Sequence, residues 1–376
     1  MKEGKEFEIV RKDKKTKARK GKLHTAHGII ETPVFMPVGT QGTVKSLTPK
    51  DLEELGVSIL LANAYHIYLQ PGIEVVKELG GLHRFINWNG PILTDSGGFQ
   101  IYSLGVLAKV KEEGVYFKSH LDGSSHFLSP ELSIEIQHSL GADIIMTLDH
   151  CLAYPSDREM IAEAMRRSLR WAKRSYEEWK RLGPESHLLF GISQGGVYKD
   201  LREESIEGLL RIDFSGYALG GLSVGEPKEK MYEIIEFLSF LLPEEKPRYI
   251  MGLGAFDDLF QAIAAGYDMF DCVLPTRNAR NGCLFTSRGK VVIKHSKYNK
   301  DPRPIDEECG CYTCRNFSRA YLRHLFVAKE LLFPILATYH NLHFYLDTFR
   351  KIRQAIAKGE FTEYRERFLK RLNEGD

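Results

Sequence analysis

The sequence predicts a (β/α)8 TIM barrel with a small cysteine-rich subdomain inserted near its C-terminal end. Three observations carry that expectation. Short apolar segments rich in Ile, Val, Leu and Phe alternate with longer helical patterns, as in parallel βα units whose sheet is covered on both faces. Six or more such units fall within roughly 250 residues, the usual size of one closed barrel. From about Lys300 the texture changes to Pro302, Pro304, a cysteine cluster and strongly helical segments. A doubly wound open sheet is the alternative, but no glycine fingerprint follows the first strand and leads into a helix.

In chain order, strands are expected at 58–62, 91–94, 143–148, 188–193, 249–252 and 268–274. Helices are expected between them at 130–140, 157–182, 201–210, 228–242 and 257–265. Ser129-Pro130-Glu131 and Pro155-Ser156-Asp157 carry helix-start chemistry. Residues 1–300 then form the barrel with its N-terminal strands, 301–345 the metal-binding subdomain and 346–376 the closing helices.

Of the 376 residues, 43% are hydrophobic and 27% charged, which excludes a collagen-like, disordered or disulfide-scaffold chain. The net charge is +2, from 52 basic against 50 acidic side chains, so nucleic-acid binding requires a local patch. Such a patch runs through Arg277, Arg280, Arg288, Lys290, Lys294, Lys297, Lys300 and Arg303, opposed by Asp301 alone. The basic N-terminal segment (Arg11, Lys12, Lys14, Lys15, Lys17, Arg19, Lys20, Lys22) reads as a solvated strand and turn. No apolar stretch follows it, so a secretory signal is not expected. No run of about 18 apolar residues occurs, so no membrane span is expected. Three of the six cysteines fall within six residues, which points to a metal site and a cytoplasmic location.

The predicted strand ends carry the chemistry. One strand runs into Asp95-Ser96-Gly97-Gly98-Phe99-Gln100, another into Asp149 and a third into Gln194-Gly195-Gly196. Others lead to Gly220-Gly221, to Met251-Gly252 and to Asp271. In a parallel barrel these ends open on one face. Glycine pairs there let backbone N–H groups approach a flat ligand. Two carboxylates in one pocket can divide labour between nucleophile and acid–base. An aspartate attacking an anomeric carbon gives a covalent glycosyl-enzyme. Spacing leaves Asp95, Asp149 and Asp271 all eligible as the nucleophile.

Cys309-x-Cys311-x2-Cys314 followed by His340 suits tetrahedral zinc, and four protein ligands make the site structural. His324 and His343 lie nearby in sequence; His340 is favoured by its helical setting.

These motifs resemble the queuine tRNA-ribosyltransferases, the tRNA-guanine transglycosylases. The resemblance rests on Thr94–Gln100 (TDSGGFQ), Ile192–Gly196 (ISQGG), Gly220–Glu226 (GGLSVGE), Met269–Arg277 (MFDCVLPTR) and the cysteine cluster, and it runs from about Thr32 to the C-terminus. It implies a zinc-bearing TIM barrel that exchanges the wobble guanine of certain tRNAs for a free 7-deazaguanine base. It assigns Asp271 as nucleophile and Asp95 as general acid and base. Asp95, Ser96, Phe99, Asp149, Gln194, Gly220, Gly221, Leu222 and Met251 would form the base pocket, with Phe99 and Met251 sandwiching the ring. The stretch Gly252, Leu253, Gly254, Ala255, Phe256, Asp257 and Asp258 would hold the anticodon loop, together with Thr276, Arg277, Asn278, Ala279 and Arg280. The bacterial type is implied, with 7-aminomethyl-7-deazaguanine (preQ1) as incoming base, Cys151 and Val224 fitting its substituent, and a homodimer near the zinc segment. Two departures from the family pattern stand out: Ala255-Phe256 where many members carry Lys-Pro, and His150 where Glu is common. The alternatives are the same exchange with queuine or 7-cyano-7-deazaguanine, a non-catalytic tRNA-binding subunit, and a hydrolase that uses the metal directly.

Overall fold

A computed structural model describes residues 6–103 and 108–374. Its central sheet runs, in spatial order, through Val34–Met36, Met269–Asp271, Arg248–Ile250, Gly216–Leu219, Leu188–Ser193, Ile144–Met146, Ile92–Thr94, Leu60–Ala62 and Val38–Gly39. All pairings are parallel. The first and last segments are halves of one strand interrupted at Pro37. One half pairs with Met269–Asp271 and the other with Leu60–Ala62, so the sheet closes into the expected eight-stranded barrel.

Side-chain alternation decides what fills that barrel. Val34, Met36, Leu61, Leu93, Ile144, Met146, Phe190, Ala218, Tyr249 and Met269 pack in its interior. Their neighbours Phe35, Leu60, Ile92, Ile145, Leu189, Leu219, Ile250 and Phe270 belong instead to the layer beneath the helices. Both faces of each strand are apolar, which is why the strands read as continuous runs.

The basic N-terminal segment is more than a solvated strand and turn. Phe7–Lys12, Arg19–Thr25 and Gly28–Thr32 form an antiparallel sheet. Its Phe7, Leu23 and Ile30 plug the barrel floor, and Arg19 is buried against Asp268. A second antiparallel sheet, Ala108–Val110, Val115–Lys118 and Ser125–Leu128, is inserted after the Ile92–Thr94 strand.

Helix starts follow the local chemistry. Ser129 accepts a hydrogen bond from the Leu132 N–H (3.1 Å) at the head of Pro130–Leu140, and Asp157 from the Glu159 N–H (2.9 Å) at the head of Arg158–Leu182. Lys199–Leu210, Lys228–Ser239 and Phe256–Ala264 lie close to their expected bounds. The strand expected over 268–274 stops at Asp271, because Pro275 opens the helix Leu274–Arg280.

After the hairpin Cys283–Thr286 and Gly289–Val292, a third apolar core forms around Leu284, Val291, Leu322, Phe333 and the cysteines. Helix Leu332–Lys358 leaves this core and continues against the barrel layer through Phe344, Tyr345 and Phe349. The expected boundary at 345/346 therefore falls inside one helix. Phe361–Leu372 folds back upon it. Among the described residues, no helix is long and apolar enough to cross a membrane.

Candidate active site and metal centre

A cavity of about 430 Å³ opens at the C-terminal ends of the barrel strands. Asp95, Ser96, Phe99, Asp149, Gly220, Gly221, Leu222, Met251, Gly252, Asp271 and Arg277 line it together with Cys151 and Val224. Residues spread over more than 180 positions of sequence thus meet in one pocket because each ends, or closely follows, a strand of the same barrel.

Each carboxylate is held by neutral donors. Asp95 accepts from the Ala64 N–H (3.0 Å) and from Gln100 Nε2 (2.8 Å). Burial, with a smaller push from the charge of Asp271, raises its pKa to about 7. Asp149 accepts from Gln194 Nε2 (2.6 Å) and Ser96 Oγ (3.3 Å), and burial raises it to about 6. Asp271 accepts on Oδ1 from the Tyr249 hydroxyl (2.6 Å) and the Gly252 N–H (2.8 Å). Burial raises its pKa too, against those two bonds. Low dielectric leaves Asp95 and Asp149 poised to exchange protons near neutrality, and it raises Asp271 in the same direction.

Gln194 sits behind Asp149 at 4% exposure, and its amide orients that carboxylate. A side chain at Gly221, whose φ is +64°, would strike Gln194 Oε1 at 2.4 Å; one at Gly220 would strike Nε2 at 2.6 Å. These glycines therefore let the loop approach the amide closely. Arg202, which the sequence did not mark, is fully buried and binds the carbonyls of Ser193, Gly196 and Gly220, each at 2.8 Å. It braces both glycine turns from behind. Tyr249 and Gln100 were likewise unassigned. Tyr249 carries a faint signal, a hydroxyl-tipped residue at the centre of the short strand Arg248–Ile250. His150 follows the strand Ile144–Met146 by four residues and does not line the cavity; its Nδ1 stands 3.2 Å from Arg167 Nη1.

In the expected RNA-holding stretches, Leu253, Gly254, Phe256, Asp258, Thr276 and Ala279 are buried. Phe256 packs on Phe285, Phe344, Tyr345 and Phe368, and Asp258 accepts from Tyr232 Oη (2.5 Å) and Lys228 Nζ (2.9 Å). Gly252, Asp257 and Arg277 are exposed, and Ala255, Asn278 and Arg280 half-buried. Arg288, Lys290, Lys294, Lys297 and Lys300 are exposed beyond them.

Cys309, Cys311, Cys314 and His340 bring their ligand atoms within 4.8 Å of one another. The three Sγ atoms lie 3.7, 3.5 and 3.3 Å from His340 Nδ1. A tetrahedral zinc with bonds of about 2.3 Å to sulfur and 2.05 Å to nitrogen places such pairs about 3.6 Å apart, so the group fits that ion. His340 Nε2 donates to the Phe285 carbonyl (2.7 Å), which leaves the Nδ1 lone pair facing the sulfurs. His324 packs near Tyr321, and His343 stands 3.5 Å from Cys309 Sγ outside the four-atom group. One residue along from His340, Asn341 accepts from the Phe285 N–H and donates to the carbonyls of Pro275 and Cys283, all at 3.0 Å. Tyr345 on the same helix donates to the Gly254 carbonyl (2.8 Å). The metal segment thereby braces both stretches that flank Asp271.

The family model described as queuine tRNA-ribosyltransferase matches residues 13–374. A queuine tRNA-ribosyltransferase of Caldanaerobacter subterraneus subsp. tengcongensis is 56% identical over 365 residues, covering 97% of each chain. That of Halothermothrix orenii is 55% identical over 365 residues, again 97% of each. That of Desulforamulus reducens is 55% identical over 369 residues, covering 98% of this chain and 99% of the relative. With the barrel, the clustered aspartates and a match spanning nearly the whole sequence, the chain belongs to the queuine tRNA-ribosyltransferase family of pentosyltransferases.

Proposed function

We propose that this enzyme exchanges the wobble guanine of tRNAs with a G-U-N anticodon for preQ1, by double displacement through a covalent tRNA–Asp271 intermediate. The observation that carries this reading is the cavity that brings together buried Asp95 and Asp149 and half-buried Asp271, each held by neutral donors among the described residues. Asp271 Oδ2, which carries neither of the two bonds, attacks C1′ of the ribose. The C1′–N9 bond breaks, and Asp95 protonates the departing guanine. Asp95 then takes the N9 proton of the incoming base, whose nitrogen attacks C1′ as the C1′–O bond to Asp271 breaks. Two inversions restore the configuration.

Asp149 suits the N1–H and exocyclic N–H of guanine, while Gln194 and the Gly221 N–H suit its carbonyl oxygen. Adenine would leave the buried Asp149 unpaired and is rejected. Phe99 and Met251 supply the faces. Ser96, Gly220 and Leu222 complete the pocket, and Cys151 and Val224 leave room for an aminomethyl group. The target base leaves a single-stranded loop, where unstacking costs least. Arg277 and the exposed lysines beyond it carry the phosphates, with Gly252, Asp257, Asn278 and Arg280 beside the path. The buried Leu253, Gly254, Phe256, Asp258, Thr276 and Ala279 hold those stretches in shape, with half-buried Ala255 at the helix start.

One structural Zn2+ sits on Cys309, Cys311, Cys314 and His340. A second copy of the chain covers the exposed Val327, Leu331, Leu332 and Ile335 beside that site, and the enzyme works in the cytoplasm, where its tRNA is.

The test is incorporation of radiolabelled guanine into an unmodified G-U-N tRNA transcript, followed by competition among preQ1, queuine and 7-cyano-7-deazaguanine. Wild-type incorporation, its loss in Asp271→Asn, and strongest competition by preQ1 are expected. Bound tRNA without incorporation overturns the reading in favour of a non-catalytic subunit; preference for queuine overturns the choice of base.

A further inference from the structure

The four thiolate and imidazole ligands are unequal. Cys311, Cys314 and His340 are buried, whereas Cys309 is half-exposed. On its open side lies a separate cleft of about 100 Å³, lined by Cys309 and His343 with Asp306, Glu308, Asp347 and Lys351. His343 follows His340 by three residues on the helix Leu332–Lys358, so both imidazoles face the same side.

Their distances to Cys309 are nearly the same: 3.7 Å from His340 Nδ1 and 3.5 Å from His343 Nδ1. Both match the separation of about 3.6 Å that one shared zinc imposes on a sulfur and a nitrogen. Yet His343 does not belong to the close four-atom group. It reaches one ligand, the one open to the cleft, and not the other three. A fifth permanent ligand would have to approach all of them.

We infer that His343 is an exchange ligand. With Cys309 it forms an outer, two-residue docking point through which a divalent soft-to-borderline metal ion enters and leaves the buried site. This rests on reading the Cys3His group as a zinc site. In the neutral imidazole with its proton on Nε2, the Nδ1 lone pair replaces one water on an incoming ion. Cys309 supplies a thiolate, its proton passing to solvent. His340 and then Cys311 and Cys314, each thiol also releasing its proton to solvent, displace the remaining waters and finally His343. Each bond to the protein replaces a water or, at the end, His343, and the surplus waters of the hydrated ion leave as coordination falls to four, with no redox change.

The experiment loads the full-length protein with natural-abundance zinc and follows exchange against free 67Zn2+ by mass spectrometry, with transfer to a chromophoric chelator as a second readout. Wild type, His343→Ala, His343→Gln and His343→Cys are compared. All four are expected to hold one zinc per chain. Ala and Gln are expected to slow exchange severalfold, and Cys, itself a metal ligand, to keep it near the wild-type rate. If His343 only donates a hydrogen bond to Cys309 Sγ, Gln behaves as wild type and Ala exchanges faster; either result overturns the inference. Equal rates in all four overturn it as well. A wild-type protein that purifies without zinc and does not take it up removes the underlying assignment instead, and zinc content alone reveals this.

Discussion

Asp143 and Asp268 at the floor of the barrel sit beside imidazoles and a guanidinium, whereas Asp95, Asp149 and Asp271 at its mouth sit among amides and hydroxyls. Asp143, fully buried, is met by His83 Nε2 (3.2 Å), the Ile92 N–H (2.9 Å) and His27 Nδ1 (2.9 Å). Burial pushes its pKa up, but these partners overcome that push and hold it at about 2. Asp268 accepts from Arg19 Nε (2.9 Å) and Nη2 (2.6 Å) and from the Arg248 N–H (2.8 Å). At the mouth the same burial prevails, and Asp95 and Asp149 rise to about 7 and 6. One residue type in one kind of position, a strand end of a closed barrel, thus becomes a fixed anion or a proton-exchanging group according to its partner. A guanidinium, as at Asp268, or imidazoles added to two backbone N–H groups, as at Asp143, make fold; fewer, neutral donors leave chemistry.

The comparison breaks most severely at Asp271. Asp271→Asn should reduce base exchange by roughly 10⁴-fold or more while thermal unfolding stays close to wild type, because the group contributes chemistry and little stability. A variant that retains exchange would return the nucleophile's role to another aspartate.

At the floor, Arg19→Met leaves Asp268 buried without its cation. The cost expected is about 3–5 kcal/mol in denaturant unfolding, with the exchange rate per folded molecule preserved. A small cost would mean that the floor carboxylate is held by backbone donors, like the mouth.

The pH dependence of stability should have opposite signs at the two ends. Asp143, depressed to about 2, adds stability that is present above about pH 4 and lost as pH falls toward 2. Asp95, raised to about 7, favours the fold most below about pH 4, and that contribution is lost as pH rises through about 7. The melting temperature of Asp95→Asn, measured from pH 5 to 8.5, should therefore decline less than that of wild type. Parallel curves would place the Asp95 pKa in the ordinary range.

The finest adjustment is Tyr249→Phe. It removes one hydrogen bond from ionised Asp271, a bond of the kind worth about 1.5–3 kcal/mol, so kcat should fall roughly ten- to hundredfold at neutral pH. Because the lost bond favoured the charged form, the acid limb of the pH–rate profile should move to higher pH. An unmoved limb would separate Asp271 from that limb.

Much of this molecule is written in its sequence. Continuous apolar strands alternating with helices specify a parallel sheet, and aspartates and glycine pairs at their ends specify a site at one mouth, because strand polarity sends every such end to the same face. Cys309, Cys311, Cys314 and His340 could be grouped because metal-ligand chemistry restricts both residue type and spacing. What the sequence did not disclose are the features made by distant approach. The Pro37 break lets one short strand close the barrel from both sides. The basic N-terminal segment becomes a floor plug because Phe7, Leu23 and Ile30 fall on one face and Arg19 meets Asp268 across 249 positions. Arg202, Tyr249 and Asn341 act on the site through hydrogen bonds to partners 6 to 66 residues away, and no local pattern encodes such a pairing. Local periodicity and strand direction are short-range properties that a chain carries wherever it lies. The partner that decides whether a buried aspartate stays charged is long-range, and only the closed tertiary structure selects it.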